Sequence, residues 1–215
     1  MKRPGRRQDW RVVHQVAAWC LGYPDDELLE RVPLLRTALG DQPPSEPVER
    51  LLSFVDHLGR HTTDELRRAY VELFDLHRNQ TLYLSYWTDG DTRRRGETLA
   101  AFKQRYRDSG WLVDTGGELP DYLPMVLEYA ALADPAGGRE LLQDYRASLE
   151  LIRLSLLDRG SAYADVLAAV CGTLPGASPQ DRNAAMALAR TSGPAEAGVE
   201  MVGIEQLPFP SVGGR

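Results

Sequence analysis

His57 and His61 stand four residues apart, a spacing that sets two imidazoles on one helix face and suits zinc. Gly59 lies between them, no acidic residue completes a Glu-first signature, and His61 falls at the proposed end of its helix. Two solvated surface histidines are the expectation; His14 and His77 are isolated. Cys20 lies on an apolar stripe and Cys171 closes a helix just before Gly172, so both are read as buried, inert thiols. No Gly-x-Ser-x-Gly elbow, Walker-type loop or dinucleotide fingerprint occurs. The run from Gly90 through Arg93, Arg94 and Arg95 to Gly96 can grip an anion through three guanidiniums. It can equally form a solvated turn paired with Asp89, Asp91 and Glu97. Glu118, Asp121 and Glu128 gather around one expected helix start. Acid near a helix N-terminus is stabilising in itself, by about 0.3–1 kcal/mol, which accounts for Glu118 and Asp121. It leaves Glu128, seven residues after Asp121 and so on the same face, without a cause. No acid/base partner is evident, and the expectation is a protein without catalytic residues, metal or cofactor that binds other chains.

The elements that must position these residues are helical almost everywhere. Trp10, Val13, Val16/Ala17 and Cys20 form the first apolar stripe after an Asp9 cap, closed by Gly22 and Pro24. A second stripe, Leu28 to Leu39, contains Pro33, which is expected to kink or split it. Residues 41–47 read as a loop, Val48 to Leu58 as a helix, and Thr62 with Glu65 as a capping box for the helix carrying Leu66, Tyr70, Leu73 and Phe74. An aromatic cluster (Leu82 to Trp87) leads to a turn at Asp89–Asp91 and a helix from Gly96 to Asp108. Pro120 is expected to start a helix, residues 134–138 to form a linker, and Arg139 to Arg159 to make the longest helix. Helices headed by Ser161 and from about Ser178 to Arg190 complete the set. The expected fold class is all-α, a single bundle of about eight to ten mostly antiparallel helices. The expected organisation is a basic disordered arm at 1–8, a helical domain at 9–191 and a flexible Gly- and Pro-containing tail at 192–215.

Composition agrees. Leu occurs 31 times and Ile twice, which favours helices over strands. The formal net charge of −6 lacks the field of a nucleic-acid coat or a binder of anionic membranes. Two cysteines exclude a disulfide scaffold. No run supplies the ~20 apolar residues of a membrane span. Charges at Asp9 and Arg11 interrupt the place where a signal sequence needs an apolar core, so a cytoplasmic location is expected.

Four pieces occur in order: Tyr70-Val-Glu-Leu-Phe74-Asp75; Leu82-Tyr83-Leu84; Gly90-Asp91-Thr92-Arg93-x-Arg95-Gly96; and Glu118 through Pro120-Asp121-Tyr122 to Tyr129. Together with Ala18–Pro24, which ends in a Tyr-Pro turn, this set resembles the NarJ-type nitrate reductase assembly chaperones, also called the delta subunit of the respiratory enzyme. These belong to a larger family of helical maturation chaperones for molybdenum redox enzymes. The resemblance covers about residues 10 to 172 and implies a non-catalytic, cytoplasmic chaperone, monomeric or weakly dimeric. Its implied partner is the apo form of the nitrate reductase alpha subunit, bound through an N-terminal segment with a vestigial twin-arginine-like leader. The chaperone holds that subunit for molybdenum cofactor insertion, before docking on the membrane anchor. Nucleic acid and stable membrane insertion are not implied.

An amphipathic leader needs a groove with apolar walls and an acidic rim. Tyr70, Phe74, Leu123, Leu127 and Tyr129 are the candidate walls, and Asp75, Glu118, Asp121 and Glu128 the candidate rim. Tyr83, Tyr122, Arg93 and Arg95 complete the candidate set. Phe74, Leu123 and Leu127 also lie on core stripes; Asp121 can cap its helix; Arg93 and Arg95 can fix the turn by pairing with Asp75 or Glu97. Many members of the family carry His where Tyr122 stands, and a phenol does not titrate near neutral pH. An adaptor binding a folded partner, a small helical hydrolase and a chaperone for another molybdoenzyme are the competing readings.

Overall fold

A computed structural model describes residues 8–76, 80–90, 92–110 and 116–192. The expected basic arm, apart from Gln8, and the tail beyond Ser192 lie outside them, as do His77 and Asp91.

Helix α1 (Trp10–Cys20) starts where the Asp9 carboxylate accepts the Arg11 N–H at 3.0 Å, the cap expected from sequence. After α2 (Asp26–Gly40) and α3 (Glu46–Arg60), α4 (Thr63–Tyr70) opens on the Thr62–Glu65 capping box, with both reciprocal bonds formed. A π-helical turn, Val71–Asp75, continues α4 and is closed by the Leu76 N–H donating to the Val71 carbonyl at 3.0 Å. The short α5 (Tyr86–Asp89) and the long α6 (Arg93–Asp108) follow. Helix α7 (Leu123–Glu128) runs into a second π-helical turn, Tyr129–Ala133. The chain ends in α8 (Pro135–Asp144), α9 (Arg146–Asp158), α10 (Tyr163–Gly172) and α11 (Arg182–Ser192). The fold is all-α as expected, with eleven α-helices and two π-helical turns among the described residues.

Helix α10 packs against both α3 and α9, while α1 lies on α7 and the second π-helical turn. Their apolar stripes merge into one core that includes Val13, Leu51, Phe54, Leu127, Leu149 and Val170. Leu151, Leu154 and Ala185 form a small satellite where α11 covers α9. Cys20 and Cys171 are buried free thiols, and burial pushes Cys20 up to about 12, so neither is a poised nucleophile. His14 is also buried; its Nε2 meets the Thr173 hydroxyl at 2.9 Å. Burial first, then the Arg139 charge, lowers its pKa to about 4 and keeps the ring neutral.

Several expected boundaries are corrected. Pro33 neither splits nor ends α2, because Leu28, Leu35 and Leu39 are buried in the core on both sides of it and hold the helix together. The 134–138 segment is not a linker: the Asp134 carboxylate accepts the Gly137 N–H at 2.9 Å, and Pro135 opens α8. The expected longest helix is two, broken at Tyr145, whose φ −99°, ψ 22° is non-helical. Pro120 is buried in a turn and accepts the Tyr106 hydroxyl on its carbonyl at 2.6 Å; α7 starts three residues later.

Candidate functional site

Two irregular segments, 80–85 and 118–122, build the floor of a hollow. They are held by an isolated antiparallel bridge between Tyr83 and Tyr122. In it the Leu84 N–H donates to the Asp121 carbonyl at 3.0 Å and the Leu123 N–H to the Leu82 carbonyl at 2.9 Å. Asp121, 0% exposed, locks this bridge: its carboxylate accepts the Ser85 N–H at 3.0 Å and the Ser85 hydroxyl at 2.6 Å. Arg95 reaches down from α6, donates to the same Ser85 hydroxyl oxygen at 3.3 Å, and lies over the rings of Tyr83 and Tyr86.

The bridge sets the Tyr83 and Tyr122 rings 5.5 Å apart. Facing them, the last turn of α4 and the first π-helical turn present Tyr70 and Phe74, with ring centroids 4.8 Å apart, a separation typical of favourable aromatic pairs. Tyr163 of α10 backs both rings, at 6.0 and 5.1 Å. The Tyr70 hydroxyl donates to the Leu21 carbonyl at 3.2 Å, tying the end of α1 to the site. Tyr23, just beyond, stands edge-on to Tyr70 at 5.5 Å. The half-open hollow is about 320 Å³, with Asp75 and Glu118 among its lining residues. The Tyr83 hydroxyl donates to Glu118. Burial raises the pKa of Tyr70, Tyr83 and Tyr122; for Tyr83 the bond to Glu118 adds to it. All three stay neutral phenols, so the two carboxylates set the sign of the hollow.

Six of the thirteen residues singled out from sequence therefore meet around one hollow: Tyr70, Phe74, Asp75, Tyr83, Glu118 and Tyr122. The others do not line it. Leu123 and Leu127 are 0% exposed and belong to the core, and Tyr129 is buried with its hydroxyl donating to Asp134 at 3.2 Å. Asp121 neither forms a rim nor caps a helix, since it sits fully buried in the bridge before α7 begins. Glu128 is exposed at the far end of α7 and accepts a long bond from Gln15 of α1 at 3.5 Å, so it does not share a face with Asp121. Arg93 opens α6 in solvent, and Arg95 supports the bridge. Sequence reasoning missed Tyr23, Gln80, Thr81 and Leu82 as lining residues. Tyr23 had a signal in the Tyr-Pro turn after α1; Gln80, buried in an irregular stretch, had none.

Elsewhere, the His57 and His61 rings lie 4.1 Å apart, tilted at 42°, and His61 Nδ1 bonds the His57 carbonyl at 2.9 Å. Among the described residues, no group of three or more His, Cys, Asp or Glu is placed to hold a metal ion. No described helix is long and apolar enough to cross a membrane.

Residues 41–169 match the model of the nitrate reductase delta subunit family, and this span contains every lining residue of the hollow except Tyr23. The chain belongs to this family. It is 42% identical over 177 residues to the nitrate reductase-like protein NarX of Mycobacterium tuberculosis, covering 76% of this chain but only 24% of that relative's length. It is 30% identical over 159 residues to the nitrate reductase molybdenum cofactor assembly chaperone NarJ of Bacillus subtilis, covering 74% of this chain and 86% of that one. NarJ of Escherichia coli K12 is 31% identical over 146 residues, covering 67% and 61%. The delta subunit fold is also shared with a redox enzyme maturation protein from Archaeoglobus fulgidus. The TM-score there is 0.60 at 19% identity, over 80% of this chain and 98% of that one.

Proposed function

We propose that this delta-family chain is a non-catalytic, system-specific assembly chaperone that binds the N-terminal leader region of the nitrate reductase alpha subunit. It holds the apo subunit for molybdenum cofactor insertion in the cytoplasm, before membrane docking. The observation that carries this reading is the hollow itself. Residues 70–83 and 118–122, 35 positions apart at Tyr83 and Glu118, converge to put four aromatic side chains beside two carboxylates within the span that defines the family. Aromatic walls supply contact area at low entropic cost, and a carboxylate rim favours a basic-apolar segment over an acidic one. Gln80 also lines the hollow; its Nε2 donates to the Ser155 hydroxyl at 2.6 Å, and its Oε1 is buried without a partner among the described residues. A chaperone must also release its client, and a micromolar constant, about −8 kcal/mol, meets both needs.

The test is calorimetric titration with a peptide covering the first ~30 residues of the cognate alpha subunit, the scale of one helix in a groove. Saturable binding near one to one, weakened by salt, is the expected result. No binding by demonstrably folded protein removes the leader-recognition mechanism.

A further inference from the structure

The hollow does not end at Tyr23. On the other side of that ring a second hollow of about 430 Å³ is lined by Tyr23, Arg67, Arg68, Val71, Glu72 and Leu76. Its walls are mostly apolar: Val71, the ring of Tyr23 and the stem of Leu76, with the aliphatic parts of two arginines. Arg67 does not present its charge there, because its guanidinium donates to the Pro24 carbonyl at 3.2 Å and to Asp26 at 2.8 Å. Leu76 is 70% exposed and Tyr23 45%, and the two flank one hollow, whereas isolated exposed apolar residues are unremarkable. Both hollows are built on the same π-helical turn. Val71 at its start faces the second, and Phe74 and Asp75 at its end face the first.

We infer that the second hollow is an anchor site for one bulky apolar side chain of the same leader peptide, with Tyr23 as the wall shared by both subsites. The inference rests on the leader-binding reading and adds its specificity. The first hollow, with Asp75 and Glu118, takes a basic side chain, and the second, walled by Tyr23, Val71 and Leu76, takes an aliphatic or aromatic one. An amphipathic helix can offer both, since residues three or four apart share one face, ~5–6 Å from each other. Charge complementarity selects the occupant: Asp75 and Glu118 at the first hollow disfavour an acidic segment and favour a basic one, while at the second Glu72 and Arg68 offset each other in sign and leave the apolar walls to choose the side chain. A partner carrying only the charge, or only the apolar residue, uses half of the site.

The experiment is a double-mutant cycle with the ~30-residue alpha-subunit leader peptide, read by calorimetry. Leu76→Ala and Tyr23→Ala are made in the full chain, and each bulky apolar residue of the peptide is changed to Ala in turn. Because Leu76 is 70% exposed and Tyr23 45% exposed, both variants should retain the wild-type melting temperature within a few degrees. Each is expected to weaken binding about fivefold or more. The effect of Leu76→Ala should vanish with one apolar peptide substitution and persist with every basic one. Glu118→Gln should show the reverse coupling. If the wild-type chain binds the peptide and both Leu76→Ala and Tyr23→Ala leave affinity within twofold, the second subsite is overturned while leader recognition stands. If the wild-type chain does not bind the peptide, both fall together.

Discussion

The two π-helical turns use one backbone device for opposite ends. Each adds a residue to a helical turn directly after a short α-helix, and each leads to an aspartate, Asp75 or Asp134. In the second, Tyr129, Ala130 and Ala131 are all buried while Leu132 is 64% exposed, and Asp134 is occupied by the Tyr129 hydroxyl and the Gly137 N–H. Helix α8 seals it so closely that a Cβ on Gly138 would lie 2.4 Å from the Ala130 Cα. In the first, Phe74 is half-buried against Tyr163, Asp75 is exposed and Leu76 is 70% exposed. The widened turn thus locks a core in one place and presents side chains in the other. π-helical turns recur at functional sites, but the device alone does not make a site; what matters is whether a neighbouring element covers it.

The comparison breaks most visibly at Gly138. Gly138→Ala drives a methyl into the Ala130 backbone and is expected to cost about 3 kcal/mol in urea denaturation, the upper range for overpacking. Leu76→Ala beside the open turn should cost under about 0.5 kcal/mol. Equal effects at the two positions would erase the distinction.

The buried side also carries a pH signature. His14 has a folded-state pKa of about 4, below the 6.5 of an unperturbed histidine. The unfolded chain therefore takes up its proton first. Its contribution is complete above pH 6.5, falls as pH drops towards 4, and is level below. At about 1.4 kcal/mol per pH unit, going from pH 7.5 to 5 should remove about 2 kcal/mol. Denaturation of wild type and His14→Gln at both pH values checks this: the variant should lose that part of the slope, and an unchanged slope would refute the assignment.

On the open side the expected effects are on binding. Glu118→Gln keeps an acceptor for Tyr83 but removes charge, so stability should hold and leader affinity fall about fivefold, or about 1 kcal/mol, with a shallower salt dependence. Smallest of all is Glu128→Gln. Away from the hollow, it should change affinity less than twofold and stability by under about 0.5 kcal/mol. A tenfold loss there would return Glu128 to the rim.

How much of this was legible in sequence follows from where local signals and tertiary forces agree. The Asp9 cap and the Thr62–Glu65 box are local chemistry and appear where expected. The convergence of Tyr70, Phe74, Tyr83, Glu118 and Tyr122 was legible only as an ordered family pattern, since no periodicity brings residues 70 and 118 together. Asp121 misled because Pro120 read as a helix start. With the helix beginning three residues later, the carboxylate became the buried lock of the bridge instead of a surface acid. The π-helical turns escaped because a 3.6-residue period cannot register one extra residue, and that residue decides which side chains face the hollow. Pro33 and Tyr145 failed in opposite senses: packing overrode a helix breaker in one case, and in the other the helix breaks at a residue that carries no breaker signal.

The central claim is that the aromatic hollow receives the leader. Amide hydrogen exchange, measured by mass spectrometry with and without the ~30-residue alpha-subunit peptide, tests it most directly. The account predicts slowed exchange confined to residues 22–24, 67–76, 80–84 and 118–122, with the α9–α11 face unchanged. Protection on the α9–α11 face with the hollow unaffected, or no protection at saturating peptide, would contradict it.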